Sequence, residues 1–353
     1  MEKRKLGTTD IDISLICLGT MTWGQQNSED EGHQQMDYAV DHGINFFDTA
    51  ELYAIPPSKE SQGRTEEIIG TWFEKSGKRD EVILASKIAG PSSLQWFANR
   101  EGNSFSRKHI EHALHESLKR LKTDYIDLYQ LHWPYRGANN FGTLDYTADM
   151  ITPKAEDGIL EALHALDGYV KAGKIRHVGL SNETPWGMMK FIQLAEKHDL
   201  PRMQSVQNAY NLLNRVHEVG MAEVSVMEKI GLLAYSPLGR GRLSGKYLGG
   251  ALPEGTAKAI DNRPGRYDGP RAEKATQDYV ALAESHGLDP CQMAIAFVNM
   301  QPWVTSNIIG ATSMEQLKIN IAAHDMKLDE DVIEGINRIH YANPNPTELD
   351  GKS

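Results

Sequence analysis

Gly43-Ile-Asn-Phe-Phe-Asp-Thr-Ala-Glu-Leu-Tyr53 sets the reading of this chain. Its first half is a short apolar run, 44–48, that ends on a carboxylate; a loop follows, and from Arg64 the apolar residues take up helical spacing. Working outward in both directions, the same unit recurs: a short apolar or β-branched run, a loop, then a helical period. Strands are expected at 15–19, 44–48, 82–87, 126–131, 175–180, 205–208, 231–235 and 305–309, and helices at 31–42, 64–75, 107–121, 158–172, 185–198, 219–229, 290–300 and 314–323. Such alternation implies a parallel sheet in an α/β protein, and eight strands is the number that closes a (β/α)8 TIM barrel. Two extra helices are expected at 271–286 and 330–340. Residues 3–14, with Gly7-Thr-Thr-Asp10 between two short runs, read as an N-terminal β-hairpin that can plug the barrel bottom. Ser106 and Thr184 precede helices as N-caps, the second with Pro185 at the first helical position.

The 353 residues suit one large domain or two small ones, since single α/β barrels take about 250 residues and grow by loop insertion. Long loops at 52–63, 89–106, 133–157 and 238–270 all follow strand ends. With Trp96, Phe97, Trp133, Tyr135, Phe141 and Tyr146 among them, they read as functional walls at the C-terminal face. No linker interrupts the pattern, so 1–353 is read as one domain. A chain 40% hydrophobic and 24% charged can bury an ordinary core. No apolar run approaches the roughly 20 residues of a membrane span, and Met1-Glu-Lys-Arg-Lys-Leu-Gly7 lacks the apolar core of a signal peptide, so a cytoplasmic protein is expected. The net charge of −11 disfavours a nucleic-acid or anionic-membrane partner, which needs clustered Lys and Arg. Cys17 and Cys291 lie in apolar stretches and read as buried thiols. Oligomeric state is not legible.

From the second strand to the eighth, each run ends on, or just before, a group that can do chemistry: Asp48, Lys87, His132, Ser181-Asn182, Gln207, Tyr235-Ser236 and Gly310. A barrel gathers all these ends on one face. Singly, each has a plainer explanation: Asp48 as a helix cap, Tyr53 as a loop aromatic, Lys87 as a solvated cation, His132 as a core histidine. Together they make a proton donor. A phenol with a pKa near 10 is a poor acid at neutral pH, and a neighbouring ammonium is expected to lower that value. Asp48 pairs with Lys87, because a lone buried ammonium would lose its charge. His132 is placed to hydrogen-bond a substrate carbonyl oxygen or share the proton, adding an oxyanion-stabilising wall.

This set resembles the catalytic tetrad of the aldo-keto reductase superfamily: Asp48, Tyr53, Lys87 and His132. The resemblance extends along nearly the whole chain through Gly19-Thr-Met-Thr-Trp23, Leu131-His-Trp-Pro134, Gly173-Lys-Ile-Arg-His-Val-Gly-Leu-Ser-Asn182, Gln207-Asn208, Tyr235-Ser-Pro-Leu-Gly239, Gly245-Lys-Tyr247 and Gly310-Ala-Thr-Ser-Met-Glu-Gln-Leu-Lys-Ile-Asn320. Ser181-Asn-Glu-Thr184 and Asn211-Leu-Leu-Asn-Arg215 are most similar to its bacterial Tas-type branch. The resemblance implies reduction of an aldehyde or ketone, a small-molecule carbonyl substrate, with NADP(H), NAD(H) being the alternative. Ser181, Asn182 and Gln207 would bind the nicotinamide carboxamide and Tyr235 would stack on its ring, which suits amide and hydroxyl pairing and an aromatic face. Ser236, Pro237, Leu238, Gly239, Gly241, Leu243 and Lys246 would line the pyrophosphate, with Gly19, Thr20, Met21 and Asp48 also bordering the cofactor. Gly310, Ala311, Thr312, Gln316 and Asn320 would take the adenosine end. Trp23 and Trp133 would join Tyr53 and His132 around the substrate.

Many family members carry an Arg or Lys beside that last turn for the 2′-phosphate. Here Thr312, Ser313 and Gln316 stand instead, leaving hydroxyls and helix N–H groups to hold the phosphate. No Gly-x-Gly-x-x-Gly follows the first strand, so the Rossmann fingerprint is absent. A metal-dependent hydrolase would need several converging His or carboxylate ligands, and no His-x-His ends the first strand, so no metal is expected. Cofactor-sensing channel subunits in the superfamily can keep the tetrad, and measurable carbonyl turnover separates that reading from a reductase.

Overall fold

The computed structural model describes residues 1–91, 105–141, 143–260 and 265–347. An antiparallel pair, β1 (Lys3–Lys5) and β2 (Asp12–Ser14), opens the chain. Eight parallel strands follow: β3 (Ile16–Gly19), β4 (Phe46–Asp48), β5 (Ile83–Ile88), β6 (Ile126–Leu131), β7 (Ile175–Ser181), β8 (Met203–Ala209), β9 (Gly231–Tyr235) and β10 (Val304–Ile309). They close in sequence order, β10 pairing with β3, into the barrel that the alternation implies. Around them run α1 (Glu29–Asp41), α2 (Arg64–Ser76), α3 (Arg107–Leu121), α4 (Ala155–Lys171), α5 (Pro185–His198), α6 (Met221–Met227), the short α7 (Ala257–Ile260), α8 (Pro270–Ser285), α9 (Pro290–Asn299), α10 (Met314–Ala322) and α11 (Glu330–Ala342). α8 and α11 are the two extra helices.

Period-2 alternation explains why the strands read as unbroken apolar runs: both faces are buried, in two separate cores. Phe46 points inside the barrel, where it packs with Cys17, Ala85, Leu128, Leu233 and Ile308. Phe47 faces outward into the layer between barrel and helices, its ring 5.8 Å from Trp72 on α2. Each fully buried Phe, Leu or Ile contributes roughly 1.5–3 kcal/mol. The hairpin supplies Leu6 and Ile13 to the inner cluster and so closes the barrel bottom. Gly7 sits in its turn at φ +61°, and a Cβ there would lie 2.5 Å from the Gln204 carbonyl oxygen.

The caps follow the expected chemistry. Ser106 accepts from the His109 N–H and Thr184 from the Gly187 N–H. Several elements differ in extent from the expected runs; β8, for one, spans Met203–Ala209. α4 starts at Ala155, before Gly158, because the helical turn tolerates that glycine; α6 is shorter than 219–229, since Gly220 at φ 87° and Lys229 at φ 53° fall outside helical geometry; and β4 pairs only over Phe46–Asp48. Cys17 is buried as expected, whereas Cys291 is only half-buried, lying on the first turn of α9 where one side faces out. Trp96 and Phe97 lie outside the described residues. Among the described residues, no helix is long and apolar enough to cross a membrane.

One histidine away from the barrel mouth couples the fold to pH. His217 is 3% exposed, its Nε2 3.2 Å from Ser225 Oγ, and burial lowers its pKa from 6.5 to about 3. The unfolded chain binds a proton below 6.5 that the folded chain refuses, so this residue's contribution is complete above 6.5 and declines as pH falls towards 3. The expected slope is about 1.4 kcal/mol per pH unit. Urea unfolding of His217→Asn should therefore show a smaller loss of stability between neutral pH and about pH 5 than the unsubstituted protein. Parallel losses in the two proteins would show that His217 is protonated in the fold.

Candidate active site

Two residues beyond the inner apolar layer, the same strand faces turn polar. Phe46 is followed on its side by Asp48, Ala85 by Lys87, Leu128 by Gln130 and then His132, and Ser205 by Gln207. These side chains meet at the C-terminal mouth. Lys87 Nζ, wholly buried, donates to Asp48 Oδ2 at 2.6 Å, to the Thr49 carbonyl at 2.8 Å and to the Tyr53 hydroxyl at 3.3 Å. Asp48 Oδ1 accepts from Gln207 Nε2 at 2.7 Å and from Gln130 Nε2 at 3.2 Å. Both carboxylate oxygens are thus satisfied by donors the barrel supplies. Gly179 makes room for this floor: a Cβ there would approach Gln130 Cγ to 3.3 Å and Ser205 Oγ to 2.7 Å.

Burial works against the Lys87 charge, yet Asp48 and Tyr53 together hold its pKa above the ordinary lysine value. For Tyr53 the balance runs against the expected lowering. Burial raises the phenol more than Lys87 lowers it, and Asp48 adds to the rise by offsetting the lysine's field. The phenol is therefore protonated at neutral pH, and because Lys87 is the donor in their contact, its own proton has no acceptor among the described residues. His132 packs edge-on to Tyr53, ring centroids 5.7 Å apart. Burial and the nearby Lys87 push its pKa well below the ordinary value, so the ring is neutral, and its Nδ1 is buried without a partner.

Beside these groups, Ser181 Oγ donates to the Gln207 carbonyl at 2.9 Å, and Asn182 Nδ2 donates to the His132 carbonyl at 2.8 Å and to Ser181 Oγ at 3.1 Å. Tyr235 donates to Asn182 Oδ1 at 2.7 Å. Asn182 and Ser236 both hold positive φ, 52° and 55°, which turns the chain sharply at the ends of β7 and β9. Gly241, at φ +84°, lets Lys246 approach: a Cβ would stand 3.4 Å from its Nζ. On the far side Gln316 Oε1 accepts from the Thr312 N–H and hydroxyl at 3.1 and 3.2 Å, and Asn320 Nδ2 donates to the Gly310 carbonyl at 3.2 Å.

Comparison with models of protein families matches residues 15–340 to the Aldo/keto reductase family. The chain belongs to that family. It is 49% identical over 348 residues to "Protein tas" of Escherichia coli, covering 98% of this chain and all of the relative. It is 34% identical to the Bacillus subtilis "Uncharacterized oxidoreductase YrpG" over 96% of both chains, and 30% identical to an Arabidopsis thaliana "Probable voltage-gated potassium channel subunit beta" over 99% of both.

Set against the aldo-keto reductase pattern, the mouth departs from several expectations. Trp23 is wholly buried, its indole N–H donating to Gln35 and its ring packed on Gly32 of α1, so it belongs to the core and not to a substrate wall. Leu243 and Ala311 are buried as well, so neither presents its side chain at the mouth. Thr20 gives its hydroxyl to the Asp48 carbonyl at 2.8 Å, and Gly19 serves close packing, since a Cβ would lie 2.8 Å from Ile309 O. Gln207 has its amide N–H on Asp48 and Gln130, so its amide oxygen is the part that can meet a carboxamide. Trp133 borders the mouth: it is half-buried, its ring 4.9 Å from His132 and its Nε1 donating to the Pro91 carbonyl. Gln130 was not among the expected site residues. The signal was present in its position two residues before His132, which puts its side chain on the same inner face. Among the described residues no cluster of three or more His, Cys, Asp or Glu could hold a metal ion.

Proposed function

We propose that the chain is an NADPH-preferring reductase that converts an aldehyde or ketone to the alcohol, working in the cytoplasm. One observation carries the reading: the Lys87 ammonium, charge-balanced by Asp48, donates to the Tyr53 hydroxyl and leaves the phenol proton without an acceptor among the described residues. The residues present suit a nicotinamide dinucleotide. Ser181, Asn182 and the Gln207 oxygen match a carboxamide, and the Tyr235 ring is available for stacking. Lys246, which has no acidic partner among the described residues, suits a phosphate group beside Gly241. A reduced nicotinamide, when bound, supplies the hydride. The chain's own residues do the remainder. Tyr53 and His132 hydrogen-bond the carbonyl oxygen and orient its carbon; as negative charge builds on that oxygen, Tyr53 gives up its proton and Lys87 stabilises the phenolate left behind. Water then restores the phenol.

Rates of NADPH and NADH oxidation over a panel of aldehydes and ketones test the reading. Saturable cofactor binding without turnover of any carbonyl would instead favour a non-enzymatic role, such as the channel-subunit role in the Arabidopsis relative's name.

The cofactor preference has its own test. At the turn after β10 the hydroxyls of Thr312 and Ser313, Gln316 and the α10 N–H groups are the donors for a 2′-phosphate, and Thr312 already shares its hydroxyl with Gln316. Charge-assisted contacts are about twice as strong as neutral ones. Thr312→Arg is therefore expected to raise the NADPH-to-NADH ratio of kcat/KM about tenfold, roughly 1.4 kcal/mol. An unchanged ratio in a folded variant would move the 2′-phosphate away from this turn.

A further inference from the structure

The segment between β9 and α8 is rich in cations, and Arg266, like Lys246, has no carboxylate partner among the described residues. Arg242 Nε and Lys258 Nζ both bind Asp268, at 2.9 and 2.6 Å, and Asp268 accepts the Gly265 N–H as well, at 2.7 Å. That carboxylate has nothing left for its neighbour Arg266. The Arg266 guanidinium is half-buried and sits 5.6, 6.0 and 5.9 Å from the ring centroids of Phe141, Tyr235 and Tyr267. Its Nη1 donates to the Tyr235 hydroxyl at 3.3 Å, and it has no carboxylate partner among the described residues. Phenols satisfy part of its hydrogen bonding but none of its charge. In a chain of net charge −11, a partly desolvated guanidinium held without a counter-ion is suited to an anion that arrives from outside.

Two routes of contact tie this cation to the reacting end of the site. Phe141 lies edge-on to Trp133 at 6.0 Å, and Trp133 stands 4.9 Å from His132. On the other side Tyr235 donates to Asn182, which donates to the His132 carbonyl. Contacts on two sides thus link Arg266 to His132, at the carbonyl end of the mouth. The turn at Gly310, assigned to the adenosine end, makes no hydrogen bond or ion pair with it among the described residues. Resting on the reductase reading above, we propose that Arg266 is an anion-recognition residue of the substrate pocket, and that the preferred substrates are aldehydes or ketones bearing a carboxylate remote from the carbonyl. The planar fork of the guanidinium matches a carboxylate bidentately, and the rings of Phe141, Tyr235 and Tyr267 around it are apolar partners for a flat or apolar spacer.

The test compares charged and neutral partners of the same shape: 4-carboxybenzaldehyde with methyl 4-formylbenzoate, and succinic semialdehyde with its methyl ester. The unsubstituted protein should favour the acid of at least one pair in kcat/KM by about tenfold, Arg266→Gln should abolish that preference, and Arg266→Lys should keep part of it. Cofactor phosphate is the other source of negative charge. A weaker NADPH Kd in Arg266→Gln with the acid-to-ester ratio intact would assign the residue to the cofactor and overturn the proposal. So would equal rates on acid and ester in the unsubstituted protein. Calorimetric binding of 4-(hydroxymethyl)benzoate, against its amide, to the NADP-loaded protein gives a readout that needs no turnover. If no aldehyde is reduced, the reductase reading fails while this titration still decides whether Arg266 binds a carboxylate. Should Arg266→Gln not fold, the lysine variant and the same titration decide.

Discussion

Tyr53→Phe is expected to lower kcat for carbonyl reduction by about 10²–10⁴-fold, the usual range for a positioned general acid. Phenylalanine keeps the ring that meets His132 at 5.7 Å and loses only the hydroxyl that Lys87 touches. The Ser181, Asn182 and Tyr235 contacts do not involve it, so NADPH affinity, read by fluorescence titration, should change little. The pH profile follows from the same geometry. Reduction needs the protonated phenol, and burial has raised its pKa above 10, so kcat should stay level through neutral and mildly alkaline pH and fall only beyond the ordinary tyrosine range. Equal loss of cofactor binding and turnover, or a variant that stays active, would remove Tyr53 from the role of acid.

Lys87→Met attacks stability as well as chemistry. Lys87 is fully buried and Asp48 is 3% exposed, so the substitution leaves a carboxylate in the barrel with only the two glutamine amides for company. Breaking a buried pair from one side costs about 3–5 kcal/mol. Chemical unfolding should show that loss, with turnover falling at least about a hundredfold as the phenolate loses its cation. Lys87→Met combined with Asp48→Asn removes both charges and keeps an acceptor for Gln130 and Gln207. Stability should then recover while activity does not, because neutral replacement of a buried pair is often close to neutral in energy. Recovery of neither would mean that Lys87 acts through packing. Recovery of both would take the lysine out of the chemistry.

Much of this protein could be read in advance because its information is local. A run such as 44–48, a capping Ser106 or Thr184, and the helical spacing from Arg64 each declare an element through periodicity and side-chain chemistry within a few residues. Eight such runs leave a closed barrel as the arrangement that buries both faces of every strand, and the barrel in turn gathers Asp48, Lys87 and His132. Depth was less legible. Trp23 looks like a wall residue beside Gly24 but is wholly buried against α1, because the direction of a loop side chain depends on what packs over it. Gln130 and Gln207 became the donors that hold Asp48 only once three strands were in register. The same holds for charge: lysine beside tyrosine predicts a lowered phenol pKa, but how far burial and the opposing Asp48 outweigh that field depends on distances no sequence contains. Sequence by itself determined the barrel and brought Asp48, Lys87 and His132 to the ends of consecutive strands, since period and spacing specify which residues end each strand. Only the tertiary structure decided the protonation balance at Tyr53, the glutamine floor beneath Asp48 and the placing of Arg266 among aromatic rings, because burial and pairing are properties of neighbours brought together by the fold.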